Sequence, residues 1–304
     1  CLSAHVMTDY VIEYRTLTEY EKPVKQGAYE FLIMPCENET QRVKHFRLLH
    51  SMRREPFTAR NKYGFLTHHF HIHTEPFEYF SLNLLAQVAK NPPPLDVFSN
   101  LSAAEENAVL GGIEFQMDQQ SFLQVTPLCF LGPGDFPAEL RRLEGENVGS
   151  YLLRLNASIH RLLQYVPGIT DAGTQAKTAL EMGKGVCQDY AHVMIGILRP
   201  QGIPARYVSG YLNLSDDRSD SQLHAWVEAL IPQVGWRGFD PANHLQENDH
   251  FIKIAHGRDY LDCQPIKGVL TTEGAHKTSY EVLVRNSMDY NWFLQEQQQQ
   301  QQQQ

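Results

Sequence analysis

The sequence predicts an α+β protein in which an N-terminal antiparallel β-sandwich precedes a domain of helices packed on an antiparallel sheet. Apolar and polar residues alternate repeatedly from residue 8 to about 117, as in strands with one buried face. Between residues 149 and 198 apolar residues instead recur at the helical period, and alternation returns from 205 to 240. We therefore predict domains at 8–135 and 136–294, followed by a disordered glutamine-rich tail at 295–304.

Composition narrows the possible partners and the compartment. The 304 residues carry a net charge of −9 and show no cluster of lysine and arginine, which argues against nucleic acid as a partner. The longest apolar run, 193–198, is too short to span a bilayer, and no secretory signal is visible at the N-terminus. These features predict a cytoplasmic protein that does not bind membranes. Oligomeric state is not predicted.

The five cysteines indicate reduced thiols. They are odd in number and none forms a Cys-x-x-Cys motif, so we expect neither a disulfide framework nor a zinc site, and no cofactor. Cys1 precedes an internal Met7 and is interpreted as a remnant of processing, although a trimmed lipoprotein end would look the same.

The first domain is predicted from runs in which every second residue is apolar. Turn-forming residues separate these runs, which is typical of an antiparallel β-sandwich. The apolar residues are Tyr10, Ile12 and Tyr14; Tyr29, Phe31 and Ile33; Phe70 and Ile72; and Phe80, Leu82 and Leu84.

Three histidines, His69, His71 and His73, would share one face of a strand in this domain. Imidazoles at this period could bind a metal. The same pattern fits an edge or surface strand with Phe70 and Ile72 turned inward. We favour this second interpretation and predict no metal site.

The second domain centres on a helix that begins at Cys187. Apolar residues follow this cysteine at offsets of 4, 7, 8 and 11, and Pro200 with Gly202 suits a helix end. A cysteine in the first helical turn lies near free amide groups and the positive end of the helix dipole, which favour thiolate over thiol. An amphipathic helix at 149–165 should pack beside it.

A histidine lies on a predicted hairpin that follows this helix. The chain alternates around His224, breaks at Pro232 and then resumes as extended chain. If the turn is centred on Pro232, Asp240 lies opposite His224, and the small Gly238 lies opposite Trp226. Opposed side chains share a face with Cβ atoms roughly 5 Å apart, so the carboxylate could hold the imidazole.

A nucleophile, a base and a group that orients the base are the parts that covalent acyl transfer requires. Cys187, His224 and Asp240 supply these parts in that order. The sequence therefore predicts a catalytic triad.

Four motifs resemble the bacterial transglutaminase-like superfamily, which includes cysteine proteases. They are Gly-Val-Cys-Gln-Asp-Tyr-Ala-His from Gly185, Gly-Ile-Pro-Ala-Arg-Tyr-Val-Ser-Gly-Tyr from Gly202, His-Ala-Trp-Val-Glu from His224 and Asp-Pro from Asp240. The preceding segment resembles the β-rich N-terminal region of many bacterial members. The resemblance implies a papain-like core whose triad falls on Cys187, His224 and Asp240. Pro200 departs from the pattern and would shorten the cysteine helix.

Other residues are candidates for the same site. The hydroxyl of Tyr165 and the backbone N–H of Cys187 could stabilise an oxyanion. Gly185, Gln188 and Trp226 could line the cleft, where Gly185 would let a substrate approach the sulfur. Core packing is an alternative role for both Tyr165 and Trp226.

The resemblance does not imply a single reaction, because the superfamily contains peptidases, amidases, protein cross-linking enzymes and non-catalytic relatives. We favour a cysteine protease or amidase that hydrolyses a peptide or protein substrate through an acyl-enzyme. A transglutaminase, in which an amine replaces water, is the first alternative. A binding module without turnover is the second, although it would have no need of a complete triad.

Overall fold

The computed structural model of the chain describes residues 7–72, 76–214 and 221–286. In these residues the strands are β1 (Thr8–Val24), β2 (Gln26–Phe31), β3 (Gln41–His50), β4 (Phe57–Arg60), β5 (Leu66–Ile72), β6 (Phe77–Lys90), β7 (Gln164–Tyr165), β8 (Lys184–Gly185), β9 (Ala205–Leu212), β10 (Gln222–Ile231), β11 (Gly235–Asp240), β12 (Leu245–Gln246), β13 (Phe251–Gly257), β14 (Ile266–Thr271) and β15 (His276–Asn286). The α-helices are α1 (Ala103–Gly111), α2 (Ile113–Asp118), α3 (Gln120–Leu123), α4 (Val148–Leu162), α5 (Ala176–Met182), α6 (Cys187–Leu198) and α7 (Tyr260–Cys263).

Two antiparallel sheets form the predicted N-terminal β-sandwich. Their strand orders are β15-β1-β6-β3 and β14-β2-β5-β4. Aromatic side chains join the two layers: the rings of Phe31 and Phe80 stack with centroids 5.4 Å apart, and Tyr29 lies 4.7 Å from Phe80. The alternation in the sequence therefore reflects one buried face in each strand. The predicted α+β fold class is confirmed.

The last strands of the chain return to this sandwich. The alternation of Tyr280, Val282 and Val284 predicts a final strand that closes the sheet of the second domain, which is wrong, because β15 pairs with β1 and β14 pairs with β2. The reason lies in the apolar positions of β15, since Val282 and Val284 face Tyr14 and Ile12 across the ladder and all four are buried. Residues 266–286 thus complete the N-terminal sheets.

Short helices occupy the segment between the sandwich and α4. The alternating pattern, expected to run to about residue 117, ends as strand at Lys90. Ser102 begins α1 with a capping box: its hydroxyl accepts the N–H of Glu105, and that carboxylate accepts the N–H of Ser102. No helix in the described ranges is long and apolar enough to cross a membrane.

The second half of the chain forms a five-stranded antiparallel sheet in the order β12-β11-β10-β9-β13. Helices α4 and α6 pack together and against β10, as the amphipathic patterns predict. Val193 and Ile197 of α6 join one core with Ala225 and Val227 of β10. This packing fixes the start of α6 relative to β10.

Candidate active site

Cys187 is the first residue of α6, and the turn that contains it is held by a buried carboxylate. Asp189 accepts the backbone N–H of Val186 at 2.7 Å and the hydroxyl of Thr170 at 2.7 Å. Burial raises the pKa of Asp189, and these two hydrogen bonds oppose the rise. The helix start is therefore closed by a side chain of the helix itself, while the thiol of Cys187 remains partly exposed.

His224 of β10 and Asp240 of β11 form a buried hydrogen-bonded pair. Nε2 of His224 lies 2.7 Å from Oδ2 of Asp240, and both side chains are at most 1% exposed. We predicted that the two residues lie directly opposite each other, which is wrong. They are diagonal neighbours across the hairpin, a separation within reach of an imidazole.

The hairpin register explains this difference. The turn is centred on Gln233, not Pro232, because Gln233 adopts a left-handed backbone conformation with φ 64°. Gly238 consequently pairs with Glu228 instead of Trp226. A displacement of two residues leaves every side chain on its predicted face, so the histidine and aspartate still meet.

The second imidazole nitrogen of His224 is free of Asp240, and Cys187 lies close to the ring. Nδ1 of His224 is buried and makes no conventional hydrogen bond among the described residues, and the thiol of Cys187 lies beside the ring. Burial lowers the pKa of the imidazole, but the charges of Asp240 and of a Cys187 thiolate outweigh it and raise the pKa of His224 to about 10. A thiolate at Cys187 would therefore be paired with an imidazolium at neutral pH.

Tyr165 lies on the other side of the cysteine. The parallel pair β7 and β8 sets Tyr165 beside Gly185, two residues before Cys187. The phenol is near enough to Cys187 for the charge of a thiolate there to act on it. Burial and the thiolate charge raise the pKa of Tyr165 to about 12, so the hydroxyl keeps its proton at neutral pH and can donate a hydrogen bond.

Gly185 serves packing as well as access. A Cβ atom at this position would lie 2.6 Å from Cβ of Asp189, closer than real atoms approach. The glycine therefore makes room for the carboxylate that closes the first turn of α6.

Substituting Gly185→Ala should destabilise the protein by about 1–3 kcal/mol, because the new methyl group must displace the Asp189 side chain. Displacement of this carboxylate should also slow alkylation of Cys187. Urea unfolding and iodoacetamide kinetics measure the two effects. Gly134→Ala is the matched control, since a Cβ atom there meets nothing within 4 Å. Equal stability of the two variants would contradict the packing role.

The two other predicted wall residues lie in different surroundings. Gln188 is half-buried, and its side-chain amide reaches the carbonyl of Ala172 at 3.4 Å. Trp226 is fully buried, and its indole is nearly parallel to the imidazole of His224, with centroids 6.5 Å apart and a 21° interplanar angle. The indole thus lies behind the histidine instead of lining an open cleft.

Sequence reasoning missed residues that support the pair. Asn243 donates its side-chain amide to Asp240 at 2.8 Å. Glu247 accepts the indole N–H of Trp226 at 3.2 Å and is paired with Lys90 of β6. Proximity of Asn243 to Asp240 in the chain was a signal for the first contact. Nothing in the spacing of Lys90 and Glu247 indicates the second.

The histidine group of β5 lies apart from this site. His69 stacks on Phe57 with centroids 4.7 Å apart and contacts the hydroxyl of Thr67, while His71 meets the edge of the same phenyl ring. His73, the third predicted member, lies outside the described residues. In the part of the chain that the structure describes, no three histidine, cysteine or acidic side chains are grouped to hold a metal.

Part of the chain that carries this site is similar to known proteins. Residues 139–241 match the model of the transglutaminase-like superfamily. The chain is 39% identical over 127 residues to an uncharacterized protein of Mycobacterium leprae, a match that covers 40% of this chain and 44% of that protein. It is 29% identical over 158 residues to a protein-glutamine gamma-glutamyltransferase of Pseudomonas aeruginosa, covering 48% of this chain and 23% of that protein. The chain thus spans less than half the length of either relative.

A solved structure shares the fold along most of the chain. It is a "putative cysteine protease" from Cytophaga hutchinsonii, which superposes with a TM-score of 0.73, 22% sequence identity and coverage of 92% of this chain and 91% of that one. The sandwich, the five-stranded sheet and the helix that carries Cys187 therefore form an established architecture. Residues 139–241 of this chain thus resemble the transglutaminase-like superfamily, within a fold that the chain shares with that solved structure.

Proposed function

We propose that the protein is a cysteine peptidase or amidase acting on a peptide or protein substrate. The thiolate of Cys187 attacks the carbonyl carbon, and the imidazolium of His224 donates its proton to the leaving amine as the C–N bond breaks. His224 then takes a proton from water, whose oxygen attacks the acyl-enzyme. The acid is released, and the thiolate and imidazolium are restored.

The observation that carries this proposal is the buried pair of His224 and Asp240, with Cys187 close to the imidazole. Asp240 occupies Nε2 of His224, which leaves Nδ1 for the thiol. The carboxylate accepts a second side-chain hydrogen bond from Asn243 and two backbone N–H groups, so it cannot rotate away from the ring. Of the three residues only Cys187 is partly exposed, as a nucleophile must be while its base stays shielded.

Oxyanion stabilisation is proposed for two donors next to the sulfur. The backbone N–H of Cys187 lies at the start of α6, where helix N–H groups have no intrahelical acceptor. The protonated hydroxyl of Tyr165 lies beside it. Together they would flank the position at which negative charge develops on the substrate oxygen.

The pH dependence of iodoacetamide alkylation tests the nucleophile. We expect Cys187 to react well below pH 8, since the imidazolium of His224 stabilises the thiolate, and we expect His224→Ala to shift the profile to that of an ordinary thiol near pH 8.5. Peptide mapping by mass spectrometry assigns the label. Burial raises the pKa of Cys36, Cys129 and Cys263, so these thiols should stay unlabelled at pH 6.

The control is Cys187→Ala, which should remove the low-pH labelling and leave the labelling of the other cysteines unchanged. A folded protein in which Cys187 is unreactive at pH 6, or reacts equally with and without His224, would end the proposal. If Cys187 instead reacts as expected, a peptide-library cleavage profile would identify the substrate.

A protein-glutamine transglutaminase is the second candidate, favoured by the similarity to the Pseudomonas aeruginosa gamma-glutamyltransferase. The first half of the reaction is the same, but an amine resolves the thioester and no water is consumed. Incubating a glutamine-containing acyl donor with a labelled primary amine separates the two. Label incorporation favours transfer, whereas release that is independent of the amine favours hydrolysis.

A further inference from the structure

A buried ion pair from the N-terminal sandwich lies behind the histidine. Nζ of Lys90, at the end of β6, is 3.3 Å from Oε1 of Glu247, and the lysine side chain has no exposed surface. The other oxygen of Glu247 accepts the indole N–H of Trp226 at 3.2 Å. The sandwich is thereby connected to the tryptophan through a single carboxylate.

Two glycines create the space that this arrangement needs. A Cβ atom at Gly210 of β9 would lie 2.5 Å from the indole of Trp226. A Cβ atom at Gly238 of β11 would lie 2.4 Å from Glu247, so Gly238 accommodates the carboxylate and not Trp226 as its predicted register implied. Both strands flanking β10 therefore lack a side chain where the tryptophan and its acceptor lie.

Trp226 in turn covers the imidazole. Its indole lies nearly parallel to the ring of His224, and Phe251 meets both rings edge-on, with centroids 6.2 Å from His224 and 5.3 Å from Trp226. An indole free to rotate would leave a gap beside the bond between His224 and Asp240. Water entering there would weaken this bond, because a hydrogen bond between charged groups is stronger in a low dielectric.

We infer that Glu247, anchored by Lys90, is a positioning residue that fixes Trp226 over the His224–Asp240 pair and keeps water from it. This inference rests on the proposed function of Cys187 and His224. It makes the N-terminal sandwich a contributor to the active site, since the anchoring cation belongs to β6 and not to the family domain at 139–241.

Charged and titratable groups surround both His224 and Glu247. His224 faces Asp240 of β11 and Cys187 of α6, and Tyr165 of β7 lies beyond the sulfur. Glu247 faces Lys90 of β6, and Glu228 of β10 and Lys253 of β13 act on it from further along the sheet.

Two double variants separate the effect of the hydrogen bond between Glu247 and Trp226 from the effect of the charges on Lys90 and Glu247. Lys90→Met with Glu247→Gln removes both charges but keeps an amide oxygen to accept the indole N–H. Lys90→Met with Glu247→Leu removes the charges and the acceptor at nearly the same volume. Neither variant leaves a buried charge without a partner, which a single substitution would do. If leucine prevents folding, the unbranched methionine replaces it.

The readout is ¹⁹F NMR of protein labelled with 5-fluorotryptophan. The chain has three tryptophans, and the resonance missing from Trp226→Phe belongs to Trp226. Its shift with pH should report deprotonation of the adjacent imidazole, with a midpoint near 10 in the wild type. The rate at which iodoacetamide labels Cys187 at pH 6 is the second readout.

We expect the glutamine variant to keep the wild-type midpoint, and the leucine variant to lower it by about one pH unit or more and to slow labelling about tenfold. Equal midpoints and rates in the two double variants would overturn the inference. A wild type without low-pH labelling would overturn the proposed function instead, and the tryptophan resonance would still compare the two variants.

Discussion

Replacing Asp240 with asparagine should reduce kcat by roughly 10²- to 10⁴-fold while KM changes little. One carboxylate oxygen of Asp240 accepts the backbone N–H groups of Ala242 and Asn243, at 3.0 and 3.3 Å, and an asparagine must present its carbonyl oxygen there. Its NH₂ group then faces Nε2 of His224. Nε2 of the imidazole would accept this N–H, and the ring would carry its own proton on Nδ1, towards the sulfur. A protonated Nδ1 cannot act as a base for the thiol.

The measurement is steady-state turnover of the best peptide from a library profile, together with the pH dependence of Cys187 labelling. Asp118→Asn is the matched control, because it makes the same chemical change on the exposed face of α2. A folded Asp240→Asn protein that retains more than about a tenth of wild-type turnover would show that the carboxylate does not orient the histidine.

The sequence predicted the local elements of this site and the faces on which its residues lie. Alternation around His224 and the helical period after Cys187 are properties of short segments, and β9, β10 and α6 fall where these patterns indicate. The hairpin register was wrong because it depends on the backbone of Gln233, a residue that rarely adopts positive φ and therefore gave no signal. The two-residue period of a strand preserved the histidine–aspartate contact despite this error.

Contacts between distant segments were not predictable in the same way. Lys90 and Glu247 are separated by 157 residues, and each reads locally as a polar residue near a strand end. Likewise, β15 pairs with β1 because its buried valines fit that edge, yet the same alternation would suit any sheet with one buried face. Such pairings are decided by the packing of whole layers, which periodicity in one segment does not contain.

Replacing Glu228 with glutamine should lower the free energy of unfolding by about 3–5 kcal/mol. This carboxylate lies between two cations on the sheet: Nζ of Lys253 donates to both of its oxygens at 2.7 and 2.8 Å, and Nε of Arg206 donates to one of them. Glu228 and Lys253 are both more than nine-tenths buried. A neutral amide would leave two cations in the interior without a compensating charge.

The dependence of this effect on pH follows from the same contacts. Burial raises the pKa of Glu228, but the charges of Lys253 and Arg206 outweigh it and lower the pKa to about 2, below its usual 4.5. Because the pKa of Glu228 is lower in the folded state than in the unfolded chain, its ionised form stabilises the fold at pH values above the unfolded pKa. This contribution is lost as the pH falls from 4.5 towards 2. Urea unfolding of the wild type and Glu228→Gln should therefore differ most above pH 5, and the difference should shrink steadily below it. Glu39→Gln, which makes the same change at an exposed site, should show no such loss. A Glu228→Gln protein as stable as that control at pH 7 would show that the ion pairs contribute nothing to folding.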